Sequence, residues 1–298
     1  THDATAYLPL SELVDLAAER ERIAKELEKA RNGLRITEGK LANEKFVAHA
    51  PENVVNAERE KAAKYKELSR KVADAYCSVL TDGNGKTKEE FQTAYVLPLY
   101  LNMFPENVKA KAAENLVKLV EKNDYKIGTG FPGTPYILFA LADNGHADTA
   151  YKMLLNTQCP SWLYEVRVGA TTVWERWDGL DENGECPIGD DGTDMMISYN
   201  HYASGAVGAF LYRRVLGVAP TEAGYRKFKF APVVGGGITE AEGTVGTPYG
   251  VIKAAWKIAD GEMTMTVAVP VGTECTVVLP SGEEKVLGSG EYTVTAKA

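Results

Sequence analysis

Gly169-Ala-Thr-Thr-Val-Trp-Glu-Arg-Trp-Asp-Gly179 places one carboxylate, Glu175, between two indoles, Trp174 and Trp177. Shortly after it comes Ser198-Tyr-Asn-His-Tyr-Ala-Ser-Gly-Ala-Val207, with His201 at its centre. Aromatic faces stack on the C–H faces of a pyranose, and a carboxylate beside them can move a proton. The combination reads as a sugar-cleaving site. Each residue also has a plainer reading: Glu175 as a surface partner of Arg176, the tryptophans as core anchors, His201 as a satisfied core histidine.

Around this stretch the chain reads as helical. Segments with broad apolar faces fall at about 89–103, 106–122, 134–143, 146–156 and 199–216. Asn144-Gly145 and Leu216-Gly217 look like helix stops, with glycine in the left-handed position. Long loops at 124–133 and 178–198 separate the helices, and loops of that length usually edge a site. From Pro220 the period becomes two. Phe228-Lys-Phe-Ala, Gly250–Ile258, Met263–Val269, Cys275–Leu279 and Tyr292–Thr295 read as strands of a β-sandwich.

Toward the N-terminus the texture differs. Leu13, Leu16, Ile23, Leu27, Ala30, Leu34 and Leu41 recur at three- and four-residue steps among charged residues, a coiled-coil seam. Ser11 suits the start of that helix. Pro51 breaks the pattern, and a second helix follows with Val55, Ala62, Tyr65, Leu68 and Val72 as its apolar positions. Two such helices fold back as an antiparallel hairpin. Thr81-Asp-Gly-Asn-Gly-Lys86 is a turn cluster beyond it.

Composition sets bounds on function. The 298 residues suffice for two or three domains, and the net charge of −8 argues against a nucleic-acid binder as a whole. Residues 1–72 are nearly balanced, 14 basic against 13 acidic, whereas the rest holds 19 against 28. All four tryptophans lie past residue 160. Cys77, Cys159, Cys186 and Cys275 have no metal or disulfide spacing, so free thiols in a reducing compartment are expected. Without a signal peptide or an apolar run of membrane length, the expectation is a cytoplasmic chain with no membrane partner. Gly128-x-Gly-x-x-Gly133 spells a dinucleotide fingerprint, but no strand precedes it and Pro132 sits inside it, so a tight turn explains it better. The acidic loop Asp178–Asp194 misses the spacing of a calcium loop.

Two resemblances follow from these motifs. Tyr7–Leu16, Glu38-Gly-Lys-Leu-Ala-Asn-Glu-Lys-Phe-Val-Ala-His-Ala-Pro51 and Val54-Val-Asn-Ala-Glu-Arg59 resemble the C-terminal coiled-coil arm of valyl-tRNA synthetase, over about residues 5–70. That resemblance implies a hairpin whose basic residues, here Arg20, Arg22, Arg31, Arg35, Lys40 and Lys45, touch a tRNA backbone without reading sequence. The parts that bind valine, ATP and the anticodon are not among these residues, so ligation is not expected. The balanced charge equally suits a solvated coiled-coil surface.

From about residue 64 to the end the chain resembles the C-terminal part of bacterial inverting α-L-rhamnosidases. The resemblance is carried by Phe91–Tyr95, Gly128–Tyr136, Leu141–Asp148, Tyr151–Leu155, Cys159–Tyr164 and the two opening motifs. It implies an (α/α)6 barrel, about half of whose helices are represented, followed by a β-sandwich. It also implies that Glu175 is the general base, and that Trp174, Trp177 and His201 shape the sugar pocket. An inverting pair needs a second carboxyl about 6.5–9.5 Å away. The family's acid motif has no counterpart in residues 1–168.

The expected fold is therefore mainly α with a C-terminal all-β part. The expected domains are a coiled-coil hairpin over 1–72, a partial barrel over 73–218 and a sandwich over 219–298. The expected function is hydrolysis of terminal α-L-rhamnosyl residues with inversion, by a site holding one half of its catalytic pair and requiring no metal or organic cofactor. The alternative is a non-catalytic chimera that binds tRNA or carbohydrate. Apolar barrel faces left uncovered would favour a homo-oligomer.

Overall fold

The computed structural model describes residues 16–186 and 197–298, so Ser11, Leu13 and much of the acidic loop lie outside the described residues. The chain divides into two compact units, residues 1–90 with 97–115 and residues 91–96 with 116–298.

In the first unit α1 (Leu16–Leu41), the short α2 (Glu44–His49) and α3 (Glu52–Leu80) follow the apolar spacing, with Pro51 at the break before α3. Gly33 of α1 lies against the Tyr65 ring, so close that a Cβ there would sit 2.6 Å from it. Further along α1, Lys40 pairs with Glu58 at 3.3 Å. Numbers rise on one helix as they fall on the other, so the pair is antiparallel. Ala30 and Val55 are buried in it, and Leu34 and Leu41 half-buried; the side chains of Leu16, Ile23 and Leu27 are outside the description. The Glu58 carboxyl is held below its ordinary range, first by its hydrogen bond from Lys61 and then by Lys40.

Helix α3 does not stop at residue 72. It runs on to Leu80, where Tyr76 and Leu80 pack with Leu101 and Met103. The turn cluster behind it closes on Asp82, whose carboxylate accepts the N–H groups of Asn84 at 2.7 Å and Lys86 at 3.0 Å. Helices α4 (Gln92–Tyr100) and α5 (Glu106–Lys122) come next.

The second unit continues with α6 (Ile137–Ala142), α7 (Ala147–Leu154) and α8 (Trp162–Arg167). Phe139, Tyr151 and Phe210 meet edge-on in its helical core, and Arg214 grips Asp143 through two hydrogen bonds of 2.6 and 2.7 Å. The single helix expected over 199–216 is broken. It consists of α9 (Tyr202–Gly205), α10 (Val207–Phe210) and one wide π-type turn, Leu211–Val215. Gly205 and Gly208 weaken the helix. The wide turn then bonds Leu216 N–H back to Leu211 O at 2.8 Å.

The C-terminal part is two four-stranded sheets. One has the order β1 (Val218–Pro220), β2 (Lys227–Phe230), β6 (Glu274–Val278), β7 (Glu284–Leu287). The other has β3 (Glu240–Thr247), β4 (Gly250–Ala259), β5 (Glu262–Val269), β8 (Gly290–Lys297). Among the described strands only β2 and β6 pair in parallel. Phe228, Phe230, Cys275 and Val277 from the first sheet share one core with Ile252, Trp256, Met263 and Met265 from the second. Burial among these residues pushes the Cys275 thiol up to about 12.

Gly217 links the helices to β1 at φ +91°, and a Cβ there would stand 2.4 Å from the Pro232 nitrogen. Both the left-handed backbone and the backbone contact exclude a side chain. Gly217→Ala is expected to destabilise the chain by more than about 2 kcal/mol, read by chemical denaturation. Among the described residues, no helix is long and apolar enough to cross a membrane.

Candidate active site

Residues 172–175 and 198–201 run side by side. Glu175 N–H donates to Ser198 O at 2.8 Å, His201 N–H donates to Val173 O at 2.8 Å, and the Thr172 hydroxyl donates to Tyr199 O. This pairing brings together the two motifs read in the sequence. It also fixes the key side chain: Ser198 N–H donates to Glu175 Oε2 at 3.1 Å, which leaves Oε1 available.

The aromatic residues hold the pair from both sides. Trp174 is only 3% exposed and packs edge-on against Tyr199, with ring centres 5.3 Å apart. Trp177 is half-buried and meets Trp162 edge-on at 5.6 Å. Trp162, on α8, donates its indole N–H to Ser204 O at 3.0 Å, tying that helix to α9. The His201 ring is half-exposed and stacks on Phe131 at 4.4 Å. Its Nδ1 is buried and finds no partner among the described residues. Phe131 belongs to the Gly128–Tyr136 turn, which Gln92 braces by accepting Gly128 N–H at 2.7 Å. Among the described residues no strand precedes that turn, and α6 follows it.

Arg176 holds Asp178 through two hydrogen bonds of 3.0 and 2.8 Å, which keep its guanidinium firmly charged. The Asp181 carboxylate is occupied by the N–H groups of Asn183 and Glu185 and is held below its ordinary range by them. No group of three or more metal-ligating side chains exists among the described residues.

One acidic residue near the site escaped the sequence reading. Glu165 on α8 is 1% exposed, accepts Trp174 N–H on Oε2 at 3.2 Å, and is pushed by burial up to about 7. In the sequence it looks like any helical glutamate, two residues before an arginine. The Ser161 cap, which accepts Tyr164 N–H at 3.1 Å, was a signal for its helix.

On the hairpin, Arg22 pairs with Glu26 at 2.6 Å and Lys40 with Glu58, while Arg35 is exposed; the side chains of Arg20, Arg31 and Lys45 are outside the description.

A family model for the bacterial α-L-rhamnosidase 6 hairpin glycosidase domain matches residues 25–215, and one for the bacterial α-L-rhamnosidase C-terminal domain matches residues 217–293. An α-L-rhamnosidase of Streptomyces avermitilis is 39% identical over 220 residues, 74% of this chain and 21% of that protein. A valine–tRNA ligase of Mesorhizobium japonicum is 46% identical over 82 residues, 28% of this chain and 9% of that enzyme. Among solved structures, the native α-L-rhamnosidase of Aspergillus terreus aligns with a TM-score of 0.74 at 37% identity, over 82% of this chain and 28% of its own. The S. avermitilis enzyme in complex with L-rhamnose aligns with a TM-score of 0.73 at 35% identity, over 79% and 24%. The chain thus spans about a quarter of the length of the rhamnosidases it matches.

Proposed function

The chain belongs to the bacterial α-L-rhamnosidase family, and from that premise we propose that it carries the general-base half of a site hydrolysing terminal α-L-rhamnosyl residues with inversion. The observation that carries this reading is the Glu175 carboxylate, held on Oε2 by Ser198 N–H and flanked in the sequence by Trp174 and Trp177. Glu175 takes a proton from water as the water oxygen bonds to the anomeric carbon from the face opposite the leaving group. A second carboxyl gives its proton to the departing oxygen. The family's acid motif has no counterpart in residues 1–168, so Glu175 accounts for one half of the catalytic pair. The L-rhamnose complex of the S. avermitilis relative supports rhamnose as the sugar. Helices α4–α10 are read as part of an (α/α)6 barrel, and α1 with α3 as a coiled-coil hairpin.

The aromatic residues divide the work. Trp174, buried, holds the base segment in place; Trp177 and His201, half-exposed, offer ring faces to the sugar. Trp177→Ala is expected to weaken L-rhamnose binding about five- to tenfold by calorimetry, as stacking contacts of order 1 kcal/mol are lost. The test of the function is chromophore release from an aryl α-L-rhamnoside by the chain and its Glu175→Gln variant. Release lost in the variant supports the reading. Release from neither means that the motif stands here without its chemistry, and sugar binding becomes the better description.

A further inference from the structure

We propose that Glu165 is a positioning residue for the general base: its buried carboxyl holds the outer edge of the Val173–Glu175 segment and couples the placement of that segment to a proton of its own.

The segment is gripped from two edges. Glu175 N–H and Val173 O face the 198–201 backbone and are bonded there. Trp174 N–H, one residue along an extended chain, points to the opposite edge, where Glu165 Oε2 accepts it at 3.2 Å. With Trp174 and Glu165 both buried, removal of that acceptor leaves a buried donor without a partner.

The surroundings make the carboxyl sensitive to its charge. Glu165 lies in the wall of a cavity of about 370 Å³, whose other lining includes Leu154, Trp162, Val166, Val207 and Leu211. The remaining walls, from α7, α10, the π-type turn and Ile238, bring no charged side chain to this cavity. Oε1 finds no hydrogen-bond partner among the described residues. Desolvation therefore raises the carboxyl, only partly offset by the Trp174 N–H. The titratable neighbour that senses it is the Cys159 thiol, itself raised by burial and by the acidic groups nearby. Arg167, on the same helix, is engaged with Glu182 at 2.7 Å, and Arg176 with Asp178. A glutamine would supply the same acceptor without a titrating proton. A residue serving packing alone needs no carboxyl here.

The functional meaning of this contact rests on Glu175 being the base; the contact itself does not. Val173-Trp174 is the only Val-Trp pair in the sequence. Labelling the full chain with carbonyl-¹³C valine and ¹⁵N tryptophan therefore isolates the Trp174 amide in one NMR signal. That amide is expected to move downfield as pH rises, with a midpoint of about 7, as the acceptor becomes a carboxylate. Glu165→Gln is expected to abolish the titration while keeping the amide protected from exchange. Glu165→Leu is expected to speed exchange of the Trp174 amide roughly tenfold, with the Tyr164 amide unchanged. A wild-type amide that does not titrate through neutrality overturns the proposal, as does the same titration in Glu165→Gln. The base assignment is tested separately. A Glu175→Gln chain that loses turnover but keeps the Trp174 midpoint supports both. One that keeps turnover sinks the role of Glu175, and with it the positioning role, although the contact stands.

Discussion

Glu175→Gln is expected to lower hydrolysis of a dinitrophenyl α-L-rhamnoside by about 100- to 10,000-fold, the usual contribution of a general base. The substitution keeps the shape and an oxygen acceptor for Ser198 N–H, so the 198–201 pairing survives. It removes only the ability to take a proton. The leaving group matters: a dinitrophenolate departs without protonation, so this substrate reports the base alone. An alkyl rhamnoside needs the acid as well and is expected to turn over far more slowly in the isolated chain. The control is binding: L-rhamnose affinity is expected to change little in the variant. Retention of most of the aryl rate in Glu175→Gln sinks the assignment.

Trp256→Ala is expected to destabilise the second unit by about 3–5 kcal/mol and lower its melting temperature by about 10 °C or more. The indole is among the largest fully buried side chains, in the core shared by both sheets. Its N–H donates to Val215 O at 2.8 Å, a carbonyl in the wide turn where the helices end. Trp256→Phe keeps most of the apolar area but leaves that carbonyl without its donor, and is expected to lose a smaller amount, about 1–3 kcal/mol. Near-equal melts of Trp256→Ala and the native chain would show that the sandwich core does not govern stability. A single transition is read by calorimetry, with circular dichroism at the tryptophan bands as a local report.

The sequence announced the motifs of the site more clearly than the elements that carry them. The Thr-Thr-Val-Trp-Glu run and the Tyr-Asn-His-Tyr run were legible because carboxylate and aromatic chemistry is written in residue type. The backbone pairing that brings them together was not, since residues 172–175 and 198–201 belong to no regular strand and carry no periodicity. Strand β3 went unread because Gly243 and Gly246 dilute its alternation. Yet Gly243 is there for contact: a Cβ would stand 2.9 Å from Leu216. Strand β7, only four residues long, offers too short a pattern. Helix α8 is likewise six residues, too few for a helical period to show. Glu165 escaped notice for a different reason. Its burial is a tertiary fact, created when Trp174 and the cavity wall close over it.

Helix α3 is one unbroken run of 29 residues. It enters as part of the hairpin and leaves, without interruption at residue 72, as the partner of Leu101 and Met103. A continuous helix transmits rotation: each residue turns the chain by about 100°. The face that Glu58 presents to Lys40 and the face that Tyr76 presents to Leu101 are therefore locked in phase. Loss of a single residue between them would swing one face about a third of a turn away from its partner, while loss of seven, close to two full turns, would nearly restore it. Any two contact surfaces carried on one unbroken helix must agree in angle as well as in composition.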